Sequence, residues 1–584
     1  MAKLRDSRFV PLIIALGVVL GILIGSFCAN HFSGNRLNII NTSSNKLNVL
    51  LHLIDDQYVD TVNIPDLVEK SLPQILMELD PHSTYVGASD VEESMQELKG
   101  SFSGIGVQFT IYRDTVRVVK VIKGGPSEQH GIMPGDCIIS VDGKPYVGKE
   151  VTNDETMKRL KGPRETTVKL GIKRHGKPQP LSFSIVRGDV PLRTIDAVYM
   201  LDETTGYIRI NSFGETTYPE FLSALAKLNN EGLEGLVIDL RGNLGGYMAP
   251  AVQIANEFLP KDRLIVYTEG RKSPREEYTS DGRGTYPALP LVVLVDEGSA
   301  SASEILAGAV QDNDRGVIIG RRTFGKGLVQ VPIDFPDGSM LRLTKARYYT
   351  PSGRCVQKPY TPGDEEEYAA DLLLRAEHGE YFTADSIKTD GEKFETRGGR
   401  TVYGGGGIIP DIFIARDTLG MTSYFMEAYR TGLMFSFAYD FVDRHRSRLG
   451  DETDLTKISA YLDRQDVLEQ FARFAEKNGL KRRNIMLQKS GKLFKEYLYN
   501  YIVGDLLDTE GAVMYANLTD PAVQKALLLM QRGETFPALP KAEGPQAKAV
   551  GRTFVFGNHF AFHLSFTQNK LLAIWQTRKN YANF

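Results

Sequence analysis

The sequence predicts a multidomain protein of mixed α/β and α+β class, and three observations support that prediction. A charge-free apolar run follows a basic N-terminus, short strand-like runs with glycine-rich turns come next, and apolar strands then alternate with helical patterns. The 584 residues leave room for about three or four domains. The expected parts are a basic tail (1–8), an apolar anchor or signal (9–29), a helical segment (30–96), a small domain (97–188), an α/β core (189–418) and a mainly helical C-terminal extension (419–584).

The N-terminus has the pattern of a membrane anchor. Lys3, Arg5 and Arg8 precede a run from Phe9 to Ala29 that holds no charged residue. Roughly 20 apolar residues span a bilayer as a helix, and a basic flank stays on the cytoplasmic side. The alternative is a cleaved signal peptide, for which "SFCAN" offers a poor small-residue cleavage site. We expect an inner-membrane anchor that places the rest of the chain outside the cytoplasm, in the periplasm.

Composition argues against two kinds of site. The formal net charge is −3, with acidic and basic residues interspersed, so no basic surface for nucleic acid is expected. Cys28, Cys137 and Cys355 lie far apart in the sequence, lack metal-ligand spacing and form no disulfide framework. The cysteines therefore predict no zinc site.

The two segments before residue 189 differ in periodicity. From Lys46 to about Leu98, apolar residues recur at helical spacing. After about Gly100, short runs such as "GIGVQFTIY", "VRVVKVI" and "CIISVDG" resemble strands, and one piece, "DETMKRLKG", resembles a helix. The later segment is therefore predicted to be a small domain of strands with a helix.

The segment from about Asp189 alternates buried strands with helices. "TGYIRINSF" precedes "YPEFLSALAKLNN", "LEGLVIDLRG" precedes "APAVQIANEFL", and "LPLVVLVDEG" precedes "SASEILAGAVQD". Continuous apolar strands followed by helices favour an α/β layer with a mostly parallel sheet. Beyond about Leu419 the pattern is mainly helical and indicates no function.

The run "VDEGSASASEILAGAVQ" leaves a buried strand and enters a helix, and this leaves two roles open for Ser301. Ser301 and Glu304 fit the S-x-x-E capping box of a helix start, which is a purely structural role. A serine at this junction also lies beside unpaired backbone N–H groups and the positive end of the helix, as an oxyanion requires. The pattern alone favours the cap.

A serine nucleophile needs a base, and the usual partner is missing from this region. No histidine lies between His175 and His378. A buried lysine can serve, because burial disfavours its charged form and lowers its pKa. The candidate is Lys326 in "GRRTFGKGLVQVPI", with Gln330 placed to hydrogen-bond its amine, although most lysines in such loops are exposed. This segment also matches G-x-x-x-x-G-K, but Gly327 replaces the Ser or Thr of a P-loop and a strand follows, which argues against a nucleotide site.

Six motifs occur in a fixed order along the chain. Together they resemble the carboxyl-terminal processing proteases, also called tail-specific proteases, over about residues 45 to 415. The resemblance implies a serine endopeptidase whose protease core occupies 189–418. The motifs are "LDPHSTY" (79–85), "DLRGNLGG" (239–246), "GSASASEILAGAVQD" (298–312), "GRRTFGKGLVQ" (320–330), "YYTPSGR" (348–354) and "GGIIPD" (406–411).

This resemblance implies roles for the candidate residues. The middle serine of the motif is the nucleophile of the family, which maps to Ser301 rather than to Ser299 or Ser303. The family's lysine and glutamine map to Lys326 and Gln330. Together they imply a Ser-Lys site, for which no metal ion or other cofactor is expected.

The resemblance also implies an oxyanion hole made of two backbone amides. One is the amide after the nucleophile, Ala302. The other belongs to a glycine of the "DLRGNLGG" turn, here Gly246. The same turn is also an ordinary tight strand-to-helix connection, in which glycines are expected as well.

The small domain at 97–188 resembles a PDZ domain. "SGIGVQF" matches the loop that binds a peptide C-terminus, and "GGPSEQHGIMPGDCIISVDG" matches a second PDZ segment, although His130 takes a place usually filled by a small residue. The loop would present backbone amides to the terminal carboxylate of a substrate. Its residues are Gly104, Ile105, Gly106 and Val107.

The resemblance implies that the chain captures the C-terminus of unfolded or flexible cell-envelope proteins and cleaves nearby peptide bonds. The expected partners are proteins or peptides with accessible C-termini, the membrane, and further copies of the chain in a homo-oligomer. The alternative is a non-catalytic PDZ scaffold on a protease-like body. That alternative predicts damage to Ser301, Lys326, Gln330 or the glycine turn, and the sequence has none.

Overall fold

The computed structural model describes residues 19–21, 35–112, 114–174, 176–450 and 452–536. The expected basic tail (1–8) and all but three residues of the expected anchor (9–29) lie outside this described part. No helix within the described ranges is long and apolar enough to cross a membrane.

The segment before the small domain is helical and also contributes a strand to the core. Asn63 caps the second helix, where its side chain accepts a hydrogen bond from the Asp66 amide at 3.4 Å. The third helix ends at Gly100, whose φ of 71° suits a helix C-terminus. The elements are α1 (Asn35–Gln57), α2 (Ile64–Met77), β1 (Thr84–Val86) and α3 (Val91–Lys99).

The small domain is an antiparallel sheet with two short helices. Its strands run in the order β3-β4-β5-β7-β8, with β6 paired to β5, so β3 lies at an edge of the sheet. The chain enters and leaves this domain through a separate two-stranded ribbon of β2 and β9. The bounds are β2 (Ser101–Gly104), β3 (Val107–Tyr112), β4 (Thr115–Val121), α4 (Pro126–Gln129), β5 (Cys137–Val141), β6 (Lys144–Pro145), α5 (Asn153–Leu160), β7 (Thr167–Lys173), β8 (Leu181–Val186) and β9 (Gly188–Pro191).

The core is built on a six-stranded sheet in the order β10-β11-β12-β15-β16-β21. Only β10 runs antiparallel to its neighbour, so the mostly parallel sheet expected from the apolar strands is present. The bounds are β10 (Ile195–Met200), β11 (Thr205–Ile210), α6 (Thr217–Asn230), β12 (Gly235–Asp239), α7 (Met248–Phe258), β15 (Leu291–Val295), α8 (Ala302–Asp312), β16 (Val317–Gly320) and β21 (Ile412–Phe413).

A second, antiparallel sheet of five strands includes β1 from the N-terminal segment. Its order is β1-β18-β13-β14, and β17 also pairs with β18. The strands are β13 (Leu264–Gly270), β14 (Ser273–Thr279), β17 (Leu328–Asp334) and β18 (Met340–Tyr349), followed by α9 (Glu365–Glu377), a 3-10 turn (Ala384–Ser386), and the hairpin β19 (Lys393–Glu395) and β20 (Thr401–Tyr403).

The C-terminal helices form two packing units that adjoin each other. The first six share a hydrophobic core of their own. The last two lie against the six-stranded sheet, where Val513, Val523 and Ala526 share a core cluster with Val237 and Leu294. The six are α10 (Ser423–Arg430), α11 (Leu433–Leu449), α12 (Leu455–Asp463), α13 (Val467–Lys477), α14 (Asn484–Lys489) and α15 (Gly491–Leu507), and the last two are α16 (Thr509–Asn517) and α17 (Pro521–Arg532).

Both faces of the six-stranded sheet are therefore covered, and this is why its strands are apolar on both sides. Helices α6, α7 and α8 bury one face, and α16 and α17 bury the other. The predicted extension (419–584) thus contributes helices to the packing of the predicted core (189–418).

The first C-terminal unit contacts the small domain along the outer side of β4. The Arg117 guanidinium lies 3.8 Å from the ring centre of Tyr439. It also forms ion pairs with Asp440 at 3.7 Å and Asp443 at 3.6 Å. An aromatic ring and two carboxylates therefore hold one arginine of the small domain.

Candidate active site

Ser301 lies at the junction between a buried strand and a buried helix. Strand β15 ends at Val295, and Ser301 is the residue immediately before α8. Its backbone has φ 55° and ψ −113°, a left-handed conformation that is rare for a residue with a side chain. Strained backbone of this kind clusters at functional sites, where the surrounding structure enforces it.

The two neighbouring serines of the motif have structural partners. Ser299 and Ser303 are fully buried, and their hydroxyls donate to the carbonyls of Leu240 at 2.8 Å and Asn243 at 2.9 Å. Ser301 is instead partly exposed. Among the three, therefore, only Ser301 can meet a substrate.

The glycine turn after β12 lies directly against Ser301. Strands β12 and β15 are parallel neighbours, so the segments at their carboxyl ends meet at one edge of the sheet. A Cβ on Gly245 would lie 2.7 Å from the Cβ of Ser301 and 3.0 Å from the nitrogen of Ala302, so only a glycine permits this approach. The turn is pinned there because the Asn243 carbonyl accepts the amide of Ala300 at 2.9 Å.

Two backbone amides at this point are available to a ligand. The Gly245 amide is engaged, because it donates to Asn243 Oδ1 at 2.8 Å. Within the described part of the chain, the amides of Gly246 and Ala302 donate no hydrogen bond. These are the two amides that the sequence predicts for an oxyanion hole.

Lys326 lies on the loop between β16 and β17 and is partly buried. Burial is the main cause that lowers the pKa of its amine, and the nearby Arg342 lowers it further, while Glu304 and Asp80 act in the opposite direction. Among the described residues, Lys326 Nζ has no hydrogen bond, and none joins it to Ser301. Burial without a partner favours the neutral amine.

Gln330 does not bond to Lys326 in this structure, contrary to the direct contact suggested by the sequence. Its Nε2 donates to Thr344 Oγ1 at 3.3 Å, and that hydroxyl donates to Asp80 Oδ1 at 3.0 Å. The reason is the strand register, since Gln330 on β17 is paired with Thr344 on β18.

The carboxylate of Glu304 joins the backbones of Ser301 and Lys326. Its Oε2 accepts hydrogen bonds from both amides at 2.9 Å. Its Oε1 accepts the Gly325 amide at 2.8 Å and the Thr323 hydroxyl at 2.5 Å. Burial raises the pKa of Glu304 to about 7, although these four donors oppose the rise. The capping box found in the sequence thus also holds the lysine loop.

The "LDPHSTY" segment brings a histidine close to Lys326. Asp80 accepts the amides of His82 and Ser83, each at 2.9 Å, and this fixes the turn. His82 Nε2 lies 2.9 Å from the hydroxyl of Tyr368 on α9. Burial lowers the pKa of His82 to about 4, with the charge of Lys326 as the second cause. Sequence reasoning matched this motif to the family but assigned it no role.

The predicted peptide-binding loop of the small domain also has free amides. The carbonyls of Ile105 and Gly106 accept the amides of Ser127 at 2.8 Å and Ile122 at 3.0 Å. The amides of Ile105 and Gly106 themselves donate to no oxygen of the described residues. The loop runs from Gly104 at the end of β2 through Ile105 and Gly106 to Val107 at the start of β3.

No group of three or more His, Cys, Asp or Glu side chains among the described residues is arranged to hold a metal ion. The described fold is a mixed α/β core that carries a small, mostly β domain, and the residues at its candidate site are of the kinds that a serine peptidase uses.

Comparison with known proteins identifies the family. The model of peptidase family S41 matches residues 204–366, and the PDZ domain model matches residues 103–185. A family of unknown function matches residues 424–508, which cover most of the first C-terminal helical unit. The chain belongs to the carboxy-terminal processing proteases, as its relatives show.

One relative is the carboxy-terminal-processing protease of Bartonella bacilliformis, which is 37% identical over 52% of this chain and 69% of its own length. A second is the carboxy-terminal processing protease CtpB of Bacillus subtilis, 34% identical over 54% of this chain and 65% of its own length. Among solved structures, the photosystem II D1 C-terminal processing protease is 27% identical, covers 63% of this chain and 92% of its own, and has a TM-score of 0.32.

Proposed function

We propose that Ser301 is the nucleophile and Lys326 the general base of a Ser-Lys endopeptidase. The observation that supports this most directly is the partly buried Lys326 amine, whose pKa is lowered and which has no hydrogen bond or ion pair among the described residues. A neutral amine can accept the proton of a serine hydroxyl, whereas a charged one cannot.

The proposed reaction has two halves. Ser301 Oγ transfers its proton to Lys326 Nζ and attacks the carbonyl carbon of the peptide bond, while the Ala302 and Gly246 amides donate to the developing oxyanion. Lys326 then gives the proton to the leaving amine as the C–N bond breaks, which leaves an acyl ester on Ser301. In the second half, Lys326 accepts a proton from water as the water oxygen attacks the ester carbonyl carbon. Lys326 then gives that proton to Ser301 Oγ as the C–O bond of the ester breaks, which releases the carboxylic acid and free Ser301.

Gln330 has an indirect part in this scheme. Its hydrogen bond to Thr344, and that of Thr344 to Asp80, support a role in holding the Asp80 carboxylate near Lys326. Burial lowers the pKa of Lys326, and the charge of Asp80 acts against this by raising it. In this proposal Gln330 sets the proton affinity of the base and does not accept the proton itself.

In this proposal the PDZ domain binds the C-terminus of the substrate. The free amides of Ile105 and Gly106 suit a terminal carboxylate, and β3 is an edge strand to which an extended peptide can be added. The substrates are proteins with unfolded or flexible C-termini, held by the loop from Gly104 to Val107 and cleaved near that end.

The location of the enzyme is a further part of the proposal. The basic residues 1–8 and the apolar run 9–29 support an anchored enzyme that acts on cell-envelope proteins outside the cytoplasm. We also propose that the chain self-associates. Accessibility to protease added to spheroplasts tests the location, and sedimentation of the full chain tests the association.

Digestion of one disordered protein, with its C-terminal carboxylate free or amidated, tests the reaction and the capture together. We expect the wild type to cleave it and amidation to slow cleavage. Ser301→Ala and Lys326→Ala are expected to abolish cleavage, whereas Lys345→Ala, an exposed lysine on β18, is the matched control and should retain it. Activity in Lys326→Ala would contradict the Ser-Lys mechanism. A wild type that binds the free C-terminus without cleaving it would favour the non-catalytic scaffold.

A further inference from the structure

The position of Lys326 is not determined by its own segment of the chain. It lies between the end of β16 at Gly320 and the start of β17 at Leu328, outside both strands. Glycines flank it, and Gly325 has a φ of 92°. Glycine loses more conformational freedom on folding than any other residue, so this loop needs contacts from elsewhere to hold one conformation.

A tyrosine on the neighbouring strand supplies such contacts. Tyr348 lies near the end of β18 and is 1% exposed. Its hydroxyl lies 2.7 Å from the carbonyl oxygen of Lys326 and 3.1 Å from that of Ser301, and its single proton is shared between the two. Its backbone amide donates to the Gly327 carbonyl at 3.0 Å. One residue therefore binds the lysine loop at two points and the serine at a third.

Tyr348 and Glu304 bind different backbone groups of the same two residues. Glu304 accepts the amides of Ser301 and Lys326, and Tyr348 donates to their carbonyls. The two side chains come from α8 and β18, and both are fully buried. The backbones of Ser301 and Lys326 are thus linked through two buried side chains, and one of these, Tyr348, belongs to neither residue's own segment.

We propose that Tyr348 is a positioning residue that holds Lys326 at the distance and orientation that proton transfer from Ser301 requires. This inference rests on the proposed roles of Ser301 and Lys326. Proton transfer needs the hydroxyl and the amine within hydrogen-bond reach, and small displacements of a catalytic group cost large factors in rate. Tyr348 does not touch the reacting atoms. It acts through the backbone of the two residues that do.

The neighbouring tyrosine offers a matched control. Successive side chains of a strand point to opposite faces, and Tyr349 is partly exposed where Tyr348 is buried. The Tyr349 ring stacks on Tyr267 at a centroid distance of 4.7 Å. Tyr349→Phe removes a hydroxyl from the same strand without touching Ser301 or Lys326.

The pH profile separates positioning from a general structural role. The charged or titratable groups that face Lys326 are Arg342 on β18, Glu304 on α8, and Asp80 and His82 from the N-terminal segment. Removing the Tyr348 hydroxyl changes none of these groups. If the Lys326 amine gained the freedom to reach water, its pKa would rise. The acid limb of kcat/KM would then move to higher pH.

The test measures kcat, KM and the pH profile of the full chain for wild type, Tyr348→Phe and Tyr349→Phe. We expect Tyr348→Phe to lower kcat by about 10-fold or more, to leave KM within about 2-fold, and to move the acid limb to higher pH, while Tyr349→Phe behaves as wild type. A Tyr348→Phe enzyme with wild-type kcat and profile would overturn the inference. So would a loss of activity explained by a lower melting temperature with an unchanged acid limb. Activity surviving in Lys326→Ala would instead contradict the proposed function itself.

Discussion

Arg241 and Asp520 form an ion pair across 279 positions of sequence, with Arg241 Nη1 2.7 Å from Asp520 Oδ2. Arg241 also binds Asp239 through Nε and Nη2, and Asp239 accepts a hydrogen bond from the Tyr207 hydroxyl at 2.6 Å. Arg241 directly precedes Gly242, the first glycine of the turn that lies against Ser301. Helix α17 thus reaches the candidate active site through the residue at its own N-cap.

Asp520→Asn is expected to lower kcat by roughly 3- to 10-fold, because Arg241 loses a charged partner. Asparagine can still cap α17, where Asp520 Oδ1 accepts the amides of Ala522 at 2.8 Å and Val523 at 3.1 Å. Steady-state peptide hydrolysis measures the change. Asp454→Asn, at the N-cap of α12, is the control and should leave kcat unchanged. A wild-type kcat in Asp520→Asn would show that the turn is held without α17.

Glu304→Gln should inactivate the enzyme and destabilise it. A glutamine presents one oxygen where Glu304 presents two, so its NH2 group would face backbone donors that now bond to a carboxylate. Leaving buried donors unpaired costs about 1–3 kcal/mol each. Thermal unfolding and labelling by a fluorophosphonate measure the two effects. Glu257→Gln is the control, because this buried glutamate on α7 bonds Tyr218 and Thr285. Normal labelling of Glu304→Gln would contradict the prediction.

Gly106→Ala is expected to remove the dependence of cleavage on a free C-terminus. Gly106 has a φ of 78°, and an added Cβ would lie 3.2 Å from Gly125 Cα, so the loop from Gly104 to Val107 would have to shift. Short peptides that bypass the PDZ domain should be cleaved as before. Gly131→Ala is the matched control, with a φ of 75° and no atom within 4 Å of an added Cβ. The ratio of rates for free and amidated substrates is the measurement, and an unchanged ratio would argue against this loop.

Asp505 is expected to destabilise the helical unit 423–507 at neutral pH. Its side chain is 6% exposed and lies 3.5 Å from Arg446, but among the described residues neither of its oxygens accepts a hydrogen bond. Burial raises the pKa of Asp505 from 3.8 to about 6, although Arg446 and Arg117 oppose the rise. The folded state therefore binds this proton more tightly than the unfolded state. The resulting stability is present below about pH 4 and is lost as the pH rises to about 6.

Asp505→Asn should therefore stabilise the protein at pH 8 by on the order of 2 kcal/mol and bring no gain at pH 4. Urea unfolding at the two pH values measures the difference. Asp463→Asn is the control, and we expect it to lower the stability at pH 8 rather than raise it, because a hydrogen bond from Lys495 lowers the pKa of Asp463. An equal effect of Asp505→Asn at both pH values would show that the carboxyl group does not titrate as described.

The sequence predicted the parts of the candidate site that are contiguous in the chain. Ser301 and Lys326 lie in short motifs. The residues next to them in the sequence predict a strand-to-helix junction for Ser301 and a glycine-flanked loop for Lys326. Glu304 was recognised as a helix cap, but its bond to Lys326 spans 22 positions and depends on how two loops meet. The same holds for Tyr348 and His82, which reach the site only through tertiary packing.

The fold was predictable to a similar degree. The mostly parallel sheet followed from the fully apolar strand β15, whose residues are all buried. The packing of α16 and α17 on that sheet did not follow from the sequence, because an apolar helix face does not specify which surface it covers. The contact between Gln330 and Lys326 failed for a related reason, since the partner of Gln330 depends on strand pairing with Thr344.

Helices α16 and α17 are the last described elements of the chain, and this affects how the protein folds. They cover the sheet face that contains Val237 and Leu294. Contacts between segments so distant in sequence form late, because closing a long loop costs chain entropy before the contacts repay it. Until these helices dock, an apolar sheet face remains open to chaperones or to aggregation. We therefore expect the core to complete its packing only after the segment that ends at Arg532 has been synthesised, and a nascent chain that stops short of it should remain inactive.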